Sequence, residues 1–147
     1  MRKRFFRAAV SSRAASGVAE LRKTFQLFVY GTLRSGERSH EVLKDAQLVG
    51  TGTIGGVLYD IDGEYPALVL YGHTRVRGEV WRCPNALLSQ LDSFEGVAER
   101  LFRRIGVEVH MADGSLNGCW TYVAGPALSR KLVPAQRIDN WPVKRMQ

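Results

Sequence analysis

Residues 46–83 read AQLVGTGTIGGVLYDIDGEYPALVLYGHTRVRGEVWRC, and this stretch decides the fold. Glycine, aspartate and proline break it into four short runs, AQLVGTGTI, GVLYDI, YPALVLY and TRVRGEVWRC, each rich in strand formers. In the last run Val76, Gly78 and Val80 alternate with Arg77, Glu79 and Trp81, the period of two that sets successive side chains on opposite faces of a strand. Short glycine-punctuated strands without regular strand-helix alternation argue against a doubly wound parallel sheet and for a small barrel.

The flanks complete the pattern. Upstream, FQLFVY (25–30) is dense in strand formers and stops at Gly31, which predicts a buried first strand and a tight turn, with a short helix over 37–44. Downstream, Pro84 suits a first helical position, Leu87, Leu88, Leu91 and Phe94 fall on one stripe, and Gly96 follows the expected helix end. LFRRIGVEVHM and LNGCWTYV are then two strands joined across residues 111–115, whose Asp-Gly pair signals a hairpin. The expected fold is α+β: a small mixed β-barrel of about six or seven strands with two or so covering helices.

The chain has 147 residues, of which 45% are hydrophobic and 10% aromatic, the makeup of one globular unit. Its net charge of +7 is unevenly placed. Seven of the 21 Lys and Arg side chains lie in residues 1–24 against one acid, Glu20; the other 14 face 13 acids, a net of about +1. The folded part, 25–147, therefore has no general reason to bind phosphate backbones. The basic leader, 1–24, is Arg- and Ser-rich with scattered apolar residues, a transit-peptide composition that a disordered extension or an over-extended start codon would share. The expected location is the cytoplasm, or a mitochondrion or other organelle if the leader is an address. No apolar run approaches the ~20 residues that cross a bilayer, so no membrane partner is expected.

Cys83 and Cys119 match no metal or redox spacing and are expected as buried free thiols. His40, His73 and His110 are scattered without ligand spacing, so no metal site is expected. Glu79 is expected to form a structural ion pair with Arg77. Trp81, Trp120 and Tyr122 are expected in the core or a cavity wall, since no basic stripe accompanies them as in a base-stacking platform.

Two features carry chemistry. Tyr30, Gly31, Thr32 and Leu33 follow the first strand, and successive free N–H groups at such a turn hold a carboxylate or a developing oxyanion. An ordinary turn, with Thr32 or Ser35 capping the next helix, is the alternative. Glu95 ends the predicted helix, where the helix dipole, Asp92 one turn earlier and burial beside Phe94 would each raise its pKa toward the range of a general base. A solvated glutamate at a frayed helix end is the alternative there.

The motifs F-V-Y-G-T-L (28–33), G-E-V-W (78–81) and L-D-S-F-E-G (91–96), with V-E-V, W-T-Y-V and I-D-N-W further on, resemble the gamma-glutamylcyclotransferase-like family, and most its small gamma-glutamylamine cyclotransferase branch. The similarity runs over about residues 25–141. It implies that Tyr30, Gly31, Thr32 and Leu33 bind a gamma-glutamyl substrate through backbone groups, that Glu95 transfers protons, and that no cofactor is needed. The implied reaction is release of 5-oxoproline and a free amine by intramolecular attack. Phe102 stands where many relatives have a tyrosine, which removes a hydroxyl from the site, and Glu99 is a local competitor for the proton-transfer role. A non-catalytic small-molecule-binding member of the same fold is one rival, and a nucleic-acid-associated small barrel using the basic leader is another. Neither the leaving amine nor the oligomeric state is readable.

Overall fold

All seven expected strands form in the computed structural model, which describes residues 23–72 and 74–141. They are β1 (Thr24–Val29), β2 (Gln47–Gly55), β3 (Val57–Ile61), β4 (Tyr65–Val69), β5 (Arg75–Pro84), β6 (Phe102–Met111) and β7 (Leu116–Ala124). A two-residue strand, β8 (Arg137–Ile138), joins them. Strands β1, β5, β2, β6 and β7 close, in that order, into a barrel, while β4, β3 and β8 form a second sheet. The barrel pairs are antiparallel except at the closing seam, where Leu27 of β1 faces Trp120 of β7 in parallel. That seam makes the barrel mixed and leaves it no free edge.

The apolar run Leu27, Phe28, Val29 at the end of β1 follows from burial on both faces. Phe25, Leu27 and Val29 pack in one cluster with Trp81, Leu91 and Tyr122. Phe28 and Tyr30 pack in a second cluster with Val76, Val80 and Val109. In β5 the alternation holds, with Val76, Gly78 and Val80 buried and Arg75 and Arg77 exposed. At the β6–β7 turn the Gly114 N–H donates to Met111 O at 3.0 Å and Met111 N–H to Ser115 O at 2.8 Å. Cys83 and Cys119 are free and buried, one in each cluster, and burial pushes both thiols up to about 12.

The helices depart from expectation. Over 37–44 only a 3-10 turn forms, His40–Leu43. Pro84 does not open a helix: it pairs with Thr24 as the last residue of β5, in extended conformation. The sheet thus holds the chain one step longer, Asn85–Leu87 is a 3-10 turn, and α1 covers only Leu88–Phe94. The apolar stripe then splits. Leu91 is fully buried, but Phe94 is 47% exposed. A short α2 spans Pro126–Ser129.

Of the basic leader, only residues 23 and 24 are among those described, and His73 lies outside them. Among the described residues no helix is long and apolar enough to cross a membrane.

Candidate active site

The end of β1 delivers the chain into the 30–33 loop, and the start of β4 lies against it. A Cβ on Gly31 would stand 2.7 Å from Pro66 Cγ and 2.8 Å from its Cδ, so only glycine lets loop and strand meet. The loop is pinned by its own carbonyls: Arg34 N–H donates to Gly31 O at 3.0 Å and Ser39 N–H to Thr32 O at 3.0 Å. His40 Nδ1 lies 2.8 Å from Leu33 O, with its ring 4.9 Å from that of Trp81. Among the described residues, the Thr32 and Leu33 N–H groups donate to no backbone carbonyl.

Neither Thr32 nor Ser35 caps a following helix; Ser39 occupies that position, without a side-chain cap bond. Ser35 instead donates its N–H to Glu79 Oε1 at 2.9 Å, and the Trp81 indole N–H donates to the same oxygen at 3.0 Å. This corrects the expected pairing of Glu79 with Arg77. Glu79 is half-buried beside the loop, whereas Arg77 points to solvent, so the carboxylate takes the nearer donors and anchors the loop.

Glu95 closes α1 in a firm cap. Glu95 N–H donates to Leu91 O at 2.9 Å, Gly96 N–H to Ser93 O at 3.1 Å and Val97 N–H to Asp92 O at 3.0 Å. Gly96 has φ +66, so the helix ends in the left-handed residue of a Schellman motif and is not frayed. The Glu95 carboxyl is pushed up to about 7, and burial is the cause. Asp92 plays no part in that shift. Its carboxylate accepts from Arg104 Nε at 2.8 Å and Nη2 at 3.0 Å, and from the Tyr122 hydroxyl at 2.6 Å, so its charge is balanced where it stands. Glu99 is exposed and outside the cavity, and so is no competitor in geometry.

One cavity of about 200 Å³ brings Tyr30, Gly31, Thr32 and Leu33 together with Glu95. Phe94, Leu101, Phe102, Tyr122 and Tyr65 complete much of its wall. Phe102 is thus at the site, as its alignment with a family tyrosine implied. Tyr65 was not foreseen; it reads as one strand residue in YPALVLY, and only the docking of β4 on Gly31 brings it in. Trp81 is in the core, and Trp120 lies under Arg104, whose guanidinium carbon is 4.6 Å from the ring centroid. His40 belongs to the loop support and His110 is exposed on β6.

Fold and site define a small mixed barrel in which a glycine loop and the Glu95 carboxyl share one open cavity. Residues 27–142 match the family model described as Gamma-glutamyl cyclotransferase, AIG2-like, and the chain belongs to that family. Among relatives, the gamma-L-glutamyl-butirosin B gamma-glutamyl cyclotransferase of Niallia circulans is 35% identical over 127 residues, covering 82% of this chain and 78% of the relative. The crystal structure of a Mus musculus AIG2-like protein superposes with a TM-score of 0.64 at 26% identity, over 77% of this chain and 82% of that one. An uncharacterized Pyrococcus horikoshii protein shares the fold, with a TM-score of 0.58 at 24% identity over 78% of this chain and 86% of its own.

Proposed function

We propose that the protein is a cyclotransferase that releases 5-oxoproline and a free amine from a gamma-glutamyl compound, with Glu95 as general base and then general acid. The observation that carries this is the Glu95 carboxyl, raised to about 7, in the same cavity as the 30–33 loop. A group with that pKa both accepts and returns a proton near neutrality. The relative from Niallia circulans is named for the same class of reaction.

A gamma-glutamyl compound brings its own nucleophile. Its α-amine attacks the side-chain carbonyl, a C–N bond forms, and the amine proton passes to Glu95. The tetrahedral oxyanion collapses, the bond to the leaving nitrogen breaks, and Glu95 returns the proton to that nitrogen. The protein's tasks are to hold the substrate folded for ring closure and to stabilise the oxyanion. The Thr32 and Leu33 N–H groups suit the substrate's α-carboxylate, which fixes the reacting end.

Within this class, a gamma-glutamylamine fits the wall better than a gamma-glutamyl amino acid. Phe94 and Leu101 present apolar surface to the cavity, and the one cationic side chain among its described lining residues, Arg38, stands in an exposed ion pair with Glu64, Nη1 to Oε1 at 3.5 Å. Among the described lining residues, a carboxylate on the leaving group would have to compete with Glu64 for Arg38.

The test is 5-oxoproline release from a panel of gamma-glutamyl amines and amino acids, with parent and Glu95→Gln proteins assayed together. Product from the parent and none from a folded Glu95→Gln supports the proposal; full activity in Glu95→Gln removes Glu95 from the mechanism. Tight binding of every compound without turnover would favour the non-catalytic reading that the missing hydroxyl at Phe102 motivates.

A further inference from the structure

Three phenols feel the charge of Glu95: Tyr30, Tyr65 and Tyr122. Two of them are committed to the fold. The Tyr30 hydroxyl donates to Tyr122 O at 2.6 Å, and the Tyr122 hydroxyl donates to Asp92 Oδ1 at 2.6 Å. The third, Tyr65, lines the cavity, and among the described residues its hydroxyl makes no hydrogen bond. Its ring meets Phe102 edge-on, with centroids 6.0 Å apart. The site therefore lacks a hydroxyl at Phe102 and holds an unused one on the adjoining ring.

We propose that the Tyr65 hydroxyl is a catalytic hydrogen-bond donor to the substrate's gamma-carbonyl oxygen, taking the place of the hydroxyl that Phe102 lacks. This rests on the cyclotransferase proposal and extends it by one residue. Tyr65 is placed for the task by its backbone. It opens β4 opposite Ile61, and its neighbour Pro66 is wedged against Gly31, so the ring cannot drift relative to the substrate loop. Partial burial, then the charges of Asp62 and Glu95, raise its pKa, so the phenol keeps its proton across the neutral range. A neutral donor is what the chemistry needs. As the α-amine bonds to the carbonyl carbon, the carbonyl pair moves onto oxygen; as the leaving amine departs, the pair returns. The Tyr65 proton stays on Tyr65 throughout, and Glu95 alone carries the transferred one.

The decisive experiment measures kcat and KM for 5-oxoproline release, with urea unfolding midpoints, for the parent, Tyr65→Phe and Glu95→Gln. The hydroxyl bonds to nothing in the described fold, so Tyr65→Phe should keep the parent's midpoint. Its kcat should fall roughly 10²-fold or more with KM little changed, the loss typical of removing one oxyanion donor. A Tyr65→Phe enzyme with kcat near the parent's, a loss confined to KM, or a loss matched by a fallen midpoint would each overturn the assignment while leaving the Glu95 mechanism intact. A folded parent that releases no 5-oxoproline from any compound would overturn the cyclotransferase proposal and this inference with it.

Discussion

The Asp92 carboxylate accepts two hydrogen bonds from Arg104, at 2.8 Å and 3.0 Å, and this fork ties α1 to β6 one turn before Glu95. The Tyr122 hydroxyl adds a third bond to the same carboxylate from β7, and the Arg104 guanidinium lies over the Trp120 ring. The short helix is thereby fixed to two strands of the barrel. Without that anchorage, a seven-residue helix has little intrinsic stability of its own.

Asp92→Ala should therefore cost both stability and activity. It leaves Arg104 uncompensated and the Tyr122 hydroxyl without its acceptor. The two charged side chains keep 16% and 26% of their exposure, so the full penalty of a buried pair does not apply. A loss of about 1–3 kcal/mol is expected in urea unfolding. The rate of 5-oxoproline release should fall as well, because the end of α1 sets where Glu95 stands.

Glu95 should weaken the fold at high pH. Its folded pKa of about 7 lies above the ordinary glutamate value, so the native state holds a proton that the unfolded chain has lost. Stability then declines as pH rises from roughly 4.5 to 7 and levels off above, by at most about 3 kcal/mol. Glu95→Gln stays neutral throughout and should match the parent at pH 4 yet exceed it at pH 8, as urea titrations at the two pH values will show. The parent's kcat/KM should drop as pH falls below about 7, where the base is protonated. A flat profile there would argue against Glu95 as the base.

Gly31→Ala tests whether the loop must touch β4. The added methyl would stand 2.7 Å from Pro66 Cγ, and the pyrrolidine ring cannot rotate away as a flexible side chain would. Overpacking of this kind costs about 1–3 kcal/mol. The separation of loop and strand should also raise KM for every gamma-glutamyl compound, whatever amine it carries, since the shared gamma-glutamyl end is what the loop would hold. Calorimetric unfolding and a comparison of KM across two substrates check both effects.

The strands were legible because their signals are local. Alternation in β5, the two-faced apolar run of β1 and the Asp-Gly hairpin each lie within a few residues, and each formed as expected. The cap at Gly96 was legible for the same reason. The extent of α1 was not, because Pro84 answers to its pairing with Thr24, sixty positions earlier, and not to the leucines that follow it. Glu79 illustrates the same limit: its donors are an indole on its own strand and an N–H on a loop 44 residues away. Of the site, the motif residues were readable and their shared cavity was not. Tyr65 reaches it only because Gly31 has no side chain to keep Pro66 away, a fact about two distant residues at once.

Phe94 and Leu101 give the last prediction. They keep 47% and 37% of their exposure while lining the cavity, so apolar surface remains in water until a ligand covers it. Phe94 lines the same cavity as Glu95, whose carboxyl would protonate the leaving nitrogen. A leaving amine with an alkyl or aryl arm gains from covering that surface; one with a carboxylate next to the nitrogen gains nothing and meets Arg38 already paired with Glu64. The parent should thus show higher kcat/KM for a gamma-glutamyl alkylamine than for gamma-glutamylglycine. Phe94→Ala should reduce the alkylamine value by about 1–2 kcal/mol, roughly 5- to 30-fold, and leave the glycine compound nearly unchanged. Equal losses on both substrates would place Phe94 in support of Glu95 instead, and the choice of amine would then have to come from Leu101 or from the opposite wall.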